Sequence, residues 1–277
     1  MTQAQTVSSA RQAGRQTFGT LLRAEVARLL GAGGARPWFI VATAFALVMS
    51  LATVLLSMIP EVQELARFDI AGLASSGPMM MLIVLALGVT TTTAREISDG
   101  TVLTSKSLVP RSGLLFLARL GAWALTTVVL GAAICAASLV LALIPSGVTG
   151  SSWIDVLAAV ATSLGLSVLV LALFHSGTAL LQRGAVIVFV GMLLLVVLPV
   201  ALGVAGSLVE GAAGDAAMAA SRALPGSLLI TALQPPSSAP EISWMSWLVA
   251  VLGLAAWASA ASWLAYRQFV KPGYGDH

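Results

Sequence analysis

Six long apolar runs divide the chain, at 38–58, 78–94, 114–144, 153–174, 184–206 and 244–266. Each is near the ~20 residues that cross a bilayer core as helix. The second is short unless it starts before Pro78, which the apolar residues from Ile70 to Leu73 allow. The third is long enough to tilt or to project beyond the bilayer, and Pro199 predicts a kink in the fifth. Ahead of the first run, Phe18, Leu21, Leu22, Val26, Leu29 and Leu30 fall on one half of a helical wheel flanked by Arg23 and Arg28. That pattern predicts an amphipathic helix within 18–36, too short to span and suited to the membrane surface, broken by Gly31 to Gly34. Glu25 lies in its apolar half, where an unpaired carboxylate is costly. It calls for a local pair with Arg28, a rim position, or a contact with the basic loop near Arg95 or a partner.

Between the fifth and sixth runs, Glu210 to Ala223 and Pro225 to Leu233 read as two short helices separated by Pro225-Gly226. The second is apolar enough to dip back into the membrane. Trp38, Trp153, Trp244 and Trp247 mark run ends, whereas Trp123, Trp257 and Trp263 lie further along their helices.

Composition fixes the class. With 58% hydrophobic and 9% charged residues and a mean hydropathy of +0.97, the chain cannot clothe a soluble globule. It reads as an all-α integral membrane protein, with no nucleic-acid partner indicated. Residues 1–17 form a polar tail with no apolar core or cleavage pattern, so no signal peptide is expected. Of the 14 lysines and arginines, all but Arg67 and Arg222 fall on one side of the six-run topology, which predicts that both termini are cytoplasmic. The single cysteine, Cys135, lies in an apolar run and reads as a packing residue.

The longest basic interruption runs from Arg95 to Arg119 and gathers Arg95, Lys106, Arg111 and Arg119. Its middle, 98–108, has room for about three helical turns, with Asp99 placed to cap the start and Pro110 to end it. The block Glu96, Gly100-Thr101, Leu108, Pro110-Arg111 and Arg119 resembles the loop between the second and third membrane helices of type-2 ABC exporter permeases. The adjacency of Pro110 and Arg111 is a small departure from that family's spacing. L-L-R-A-E-V-A-R-L-L around Glu25 also looks like the family's N-terminal helix. The resemblance extends over nearly the whole chain in helix count and loop lengths. It implies a tail at 1–17, an interfacial helix at 18–36, a six-span permease domain at 37–270 and a cytoplasmic tail at 271–277, in a prokaryotic cell membrane. It also implies a separate nucleotide-binding ATPase subunit carrying ATP and magnesium, and a second permease subunit, identical or homologous. Contact with the ATPase would fall on Glu96, Gly100, Thr101, Lys106, Pro110 and Arg111, with Glu25 as a further contact of the N-terminal helix. Gly100 and Thr101 would let backbones approach and shape the helix start.

Missing chemistry narrows the alternatives. No G-x-x-x-x-G-K-[ST] sequence occurs, so ATP hydrolysis would belong to another polypeptide. The runs carry almost no ionisable groups: Arg119 and Asp155 sit near run ends, within reach of the membrane surface. A proton- or sodium-driven carrier would need carboxylates or broken-helix ion sites at mid-depth. Gly165-Leu166-Ser167 and His175 do not make a serine dyad, because eight residues of regular helix separate the two by roughly 12 Å. Ser167 reads as a packing residue and His175 as a solvated loop residue. No H-E-x-x-H, paired cysteines or carboxylate cluster supports a metal site or cofactor in this chain. Apolar and hydroxyl side chains favour a hydrophobic or amphipathic cargo. The alternative from another class is a non-transporting membrane scaffold or immunity-type binding protein.

Overall fold

The computed structural model describes residues 17–31, 33–65, 69–109, 111–144, 152–233, 242–271 and 274. The predicted tail over 1–16, Arg67 and Pro110 lie outside the described residues. The described chain is all-helical, and six helices are long and apolar enough to cross a membrane.

Helix α1 (Phe18–Leu30) starts from Thr17, which exchanges hydrogen bonds with Thr20 in a capping box. Thr17 is therefore part of the helix start and not of a free tail. Helices α2 (Arg36–Leu56) and α3 (Pro60–Leu65) follow. Helix α4 (Ile70–Ser98) begins eight residues earlier than the apolar run, because the Asp69 carboxylate accepts from the Gly72 amide at 2.9 Å and Pro78 sits inside the helix. Helix α5 (Thr101–Leu108) is the short element between spans, and α6 (Ser112–Ala142) and α7 (Trp153–Leu181) complete the next pair. The fourth span is thus longer than its predicted 153–174: hydroxyls, glycine and His175 at its end dilute hydropathy, but tertiary packing keeps them helical.

Helix α8 (Gly184–Leu208) carries a π-helical turn at Leu193–Val197, just before Pro199. A proline here leaves the carbonyl four residues back, that of Leu195, without its helical donor. A widened turn is the usual accommodation. Helix α9 (Ala212–Ala223) then packs back along the second half of α8, and α10 (Pro225–Ala232) packs on α11 (Trp244–Val270), the last helix described.

The centre of the bundle is α4 packed against α7, α2 and α6. Half of the most apolar stretch of α4 is buried, against 17% for α8, so α8 is a peripheral helix with most of its aliphatic surface outward. One core cluster runs from Leu29 and Phe39 through Met81, Leu85 and Trp123 to Leu254. A second, at the α5 end, gathers Leu21, Ile97, Val102, Phe116 and Phe269. Cys135 is buried, as a packing residue should be. Within the predicted tail at 271–277 the described residues are Lys271 and Tyr274, and Tyr274 is buried against Phe269, with ring centroids 5.0 Å apart.

Candidate functional site

The α5 end of the bundle concentrates the polar chemistry. On α1, Leu21, Glu25 and Leu29 form the buried row, spaced four residues apart so that they share one face. That face packs against α6, not away from the protein, and it carries Glu25 directly onto Arg119. Glu25 also accepts from Arg28 Nε at 2.6 Å. Arg28 reaches across to α4, where its Nη1 donates to Glu96 Oε1, and Arg119 Nη1 lies 3.3 Å from Glu96 Oε2. Arg119 Nε lies 3.5 Å from Glu25 Oε1, which closes a ring of four alternating charges across three helices.

Arg119 is only 3% exposed, so it does not reach the membrane surface as its place near a span end predicted. Its position in the third turn of α6 points it inward, to two carboxylates. One charge of each sign alone would be expensive to bury, whereas the formal charges of this ring sum to zero. Burial works against the charge on Arg28, but Glu96 and Glu25 outweigh it and hold its pKa above the ordinary arginine value. Arg119 Nη2 is buried with no hydrogen-bond partner among the described residues.

The Arg95-to-Arg119 stretch is less of a loop than its polarity implies. Arg95 and Glu96 belong to the last turn of α4, and Arg119 belongs to α6. The short helix begins at Thr101, not Ser98, and Asp99 ends α4 while pairing with Arg95 at 3.3 Å. Gly100 stands between the helices at φ +68°, the left-handed region that glycine enters without penalty. A Cβ there would meet nothing within 4 Å, so Gly100 is required by backbone conformation and not by a close approach within this chain. Thr101 and Arg111 are exposed, and Val102 is the one residue that α5 buries.

Lys106 turns back toward the end of the chain. Its Nζ donates to the Lys271 carbonyl at 3.2 Å and lies over the rings of Phe269 and Tyr274, 5.3 and 5.4 Å from their centroids. The Tyr274 hydroxyl in turn donates to the Ala179 carbonyl at 2.8 Å, and Gln268 donates to that of Leu180 at 3.2 Å. Burial pushes the Tyr274 phenol above its ordinary pKa, although Arg119 pulls the other way. The α5 helix, the end of α7 and the end of α11 are thereby tied into one layer.

His175 is not a solvated loop residue. It lies in α7, 4% exposed, with Nδ1 3.2 Å from the Thr93 hydroxyl of α4 and its ring 5.8 Å from that of Phe116. Ser167 donates to the Ser163 carbonyl one turn back and takes no part in a dyad.

No protein-family model matches the chain, and neither does any curated protein or solved structure. The chemistry of this end rests on its own residues. Among the described residues, no group of three or more histidines, cysteines or carboxylates comes together as a metal site. A cleft of about 300 Å³ beside the ring is lined by Arg28, Thr92, Arg95, Glu96, Asp99 and Thr101, with the glycines at 33 and 34 as its floor. Its rim therefore mixes both signs of charge with backbone.

The sequence allows Glu25 a pair with Arg28 or a contact with the stretch from Arg95 to Arg119, and both occur; what it does not reveal is the closure of the ring through Glu96. A signal was present: Arg119, inside an apolar run, lacks a counter-charge in its own helix, and Glu25 sits in the apolar half of α1. Tyr274 carried no such signal, because two tyrosines in 277 residues have no pattern.

Proposed function

We propose that the chain is the permease subunit of an ABC exporter, coupled to a separate ATPase through α5 and its flanks. The observation that carries this reading is a short helix outside the spans, bolted to the bundle on one side and open on the other. Val102, buried in the core cluster, and Lys106 seat it, while the Arg28–Glu96–Arg119–Glu25 ring joins the helices α4 and α6 that flank it to α1. Its open face presents Thr101, Thr104, Ser107 and Leu108, the last 71% exposed. The exposed side chains of a helix seated by its opposite face are accessible to a soluble partner. The sequence block from Glu96 to Arg119 supports the same assignment independently. On this reading both termini and α5 face the cytoplasm, α1 lies at the inner leaflet, and ATP and magnesium bind the partner. A second permease subunit completes a path for a hydrophobic or amphipathic cargo.

Purification of the chain from its native membrane in mild detergent, followed by identification of co-eluting polypeptides and an ATPase assay, tests the proposal. A stoichiometric Walker-motif partner whose ATPase activity is uncoupled or lost on Leu108→Glu, with the permease still folded, is the expected result. A chain that elutes without an ATPase after gentle cross-linking overturns it and favours a membrane scaffold.

A further inference from the structure

The pair α9 and α10 folds back into the bundle, and its tip carries a charge. From the end of α8, α9 runs back along it: Gly206 and Gly214 are in backbone contact with the opposing helix, and the Ser221 hydroxyl donates to the Pro199 carbonyl at 2.8 Å. At the tip, a Cβ on Gly226 would stand 1.9 Å from the Leu195 oxygen, so only glycine admits α10 against the carbonyl that Pro199 leaves free. Helix α10 then returns, with Trp247 Nε1 donating to the Ala232 carbonyl at 2.9 Å. The tip itself is pinned by Trp257, whose Nε1 donates to the Ala223 carbonyl at 3.1 Å.

These contacts fix the depth of Arg222. Trp257 lies roughly 15 Å along α11 from Trp247, and Pro199 lies about 14 Å along α8 from Leu208, at ~1.5 Å per residue. Both routes put the tip near the middle of a ~30 Å bilayer core. Arg222 is exposed there and makes no ion pair or hydrogen bond among the described residues. An arginine side chain spans about half the distance from that depth to water, and a guanidinium at mid-membrane with no partner among the described residues marks a functional position. Placement in the last turn of α9 satisfies the helix dipole in part, but leaves the five-donor fork open.

Arg222 lines one of two clefts that share Trp257 as a wall. One, of about 770 Å³, is walled by Arg222, Val249, Gly253 and Trp257. The other, of about 230 Å³, is almost wholly apolar and lies between α7, α8 and α11, walled by Phe174, Ile187, Gly191, Leu194 and again Trp257. Glycine at 191 opens that cleft: a Cβ would press to 2.8 Å from the Phe174 ring. The π-turn residues Leu194 and Leu195 form part of its wall.

We infer that these two clefts form one binding site for an anionic lipid, with Arg222 holding the acidic headgroup and the Phe174–Ile187–Leu194 crevice holding an acyl chain past Trp257. The forked guanidinium matches a phosphate bidentately, and the apolar crevice opens where hydrocarbon is the solvent. Charge complementarity selects an anionic over a zwitterionic headgroup. The inference stands independently of the transport reading, since a resident lipid and a cargo lipid would use the same residues.

The test reconstitutes the full chain in vesicles of equimolar phosphatidylglycerol and phosphatidylcholine, extracts it gently, and counts retained lipids by native mass spectrometry. Wild type is expected to keep one phosphatidylglycerol in preference to phosphatidylcholine. Arg222→Gln should reduce that preference at least ten-fold, and Arg222→Lys should retain most of it. A phosphatidylglycerol bearing a diazirine on its acyl chain should label wild type at Phe174, Ile187 or Leu194, a readout that needs no variant. Equal retention of both lipids by wild type and Arg222→Gln, or labelling spread evenly over the outward faces of α2 and α11, overturns the assignment. So does a change of oligomeric state in Arg222→Gln without a change in lipid, which would give the site to a second copy of the chain.

Discussion

Replacing Glu96 with glutamine keeps the shape of the side chain and removes one of four charges from the ring. The formal charge then rises from zero to plus one, around an Arg119 that is 3% exposed. At 3.3 Å the Arg119–Glu96 contact has a gross attraction of about 5 kcal/mol at an effective dielectric near 20. Breaking such a pair from one side costs about 3–5 kcal/mol. Because the Arg28 side chain is 28% exposed and can turn to water, the lower figure of about 3 kcal/mol applies here. Arg28→Gln removes the compensating charge, so the double variant returns the ring to zero with the Glu25–Arg119 contact intact. It should be less destabilised than the sum of the single variants by about 1–3 kcal/mol. Equilibrium unfolding in mixed micelles, read from the fluorescence of the 7 tryptophans, measures all four corners of the cycle. Additive costs, or an Arg28→Gln/Glu96→Gln chain weaker than their sum, would refute the idea of a closed, mutually neutralising ring.

Three further outcomes follow from local geometry. Gly100→Ala forces an L side chain to φ +68° and should loosen the start of α5 by about 1 kcal/mol, read as faster amide exchange in α5, with Gly100→Asn affected less. Gly226→Ala places a methyl group 1.9 Å from the Leu195 oxygen and should displace α10 and lower the unfolding midpoint, whereas Gly165→Ala meets nothing within 4 Å and should be neutral or stabilising by up to about 1 kcal/mol. Tyr274 has its pKa raised above the ordinary 10.0, so above that pH the unfolded chain gives up a proton that the folded chain keeps, and stability falls as pH rises. Tyr274→Phe should lose about 1 kcal/mol at neutral pH with the hydrogen bond to Ala179, and show a shallower alkaline decline in unfolding midpoint than wild type.

Hydropathy made the six spans legible because lipid imposes one requirement, a run of apolar helix, which composition records directly. The same measure stopped short of the ends of α4 and α7, although the apolar residues from Ile70 to Leu73 allowed the earlier start that α4 takes. There Asp69 and the hydroxyl-rich turn around His175 lower hydropathy, although capping and burial keep the backbone helical. The polar stretch from Arg95 to Arg119 was readable as a short helix between spans, but its start was not. Asp99 satisfies the N-cap preference in sequence, and the αL backbone at Gly100 assigns it to the preceding helix instead. The charge ring was the least legible feature, since Glu25, Glu96 and Arg119 sit on three helices and only tertiary packing brings them together.

The placement of charge divides the bundle mechanically. At the α5 end, the ring joins α1, α4 and α6, the Thr93–His175 contact joins α4 to α7, and Lys106 with Tyr274 adds α5 and the end of α11. Moving α1, α4 or α6 separates buried opposite charges and moving α4 or α7 strips a buried hydrogen bond, whereas α5 is seated by the buried Val102 and the exposed Lys106 contact. Helix α8 has no such tie: it is the least buried span, and its backbone hydrogen-bond pattern is already interrupted by the π turn and Pro199. Its direct packing on α4 and α7, at Gly184 and Gly191, is close but not hydrogen-bonded through side chains, and its side-chain hydrogen bond comes from the α9–α10 tip, where Ser221 bonds the Pro199 carbonyl and Trp257 holds the tip to α11. Relative motion between the tied block and α8 therefore costs few buried polar contacts. It would also change the width of the apolar crevice between Phe174 and Leu194, which has one wall on each side of that boundary.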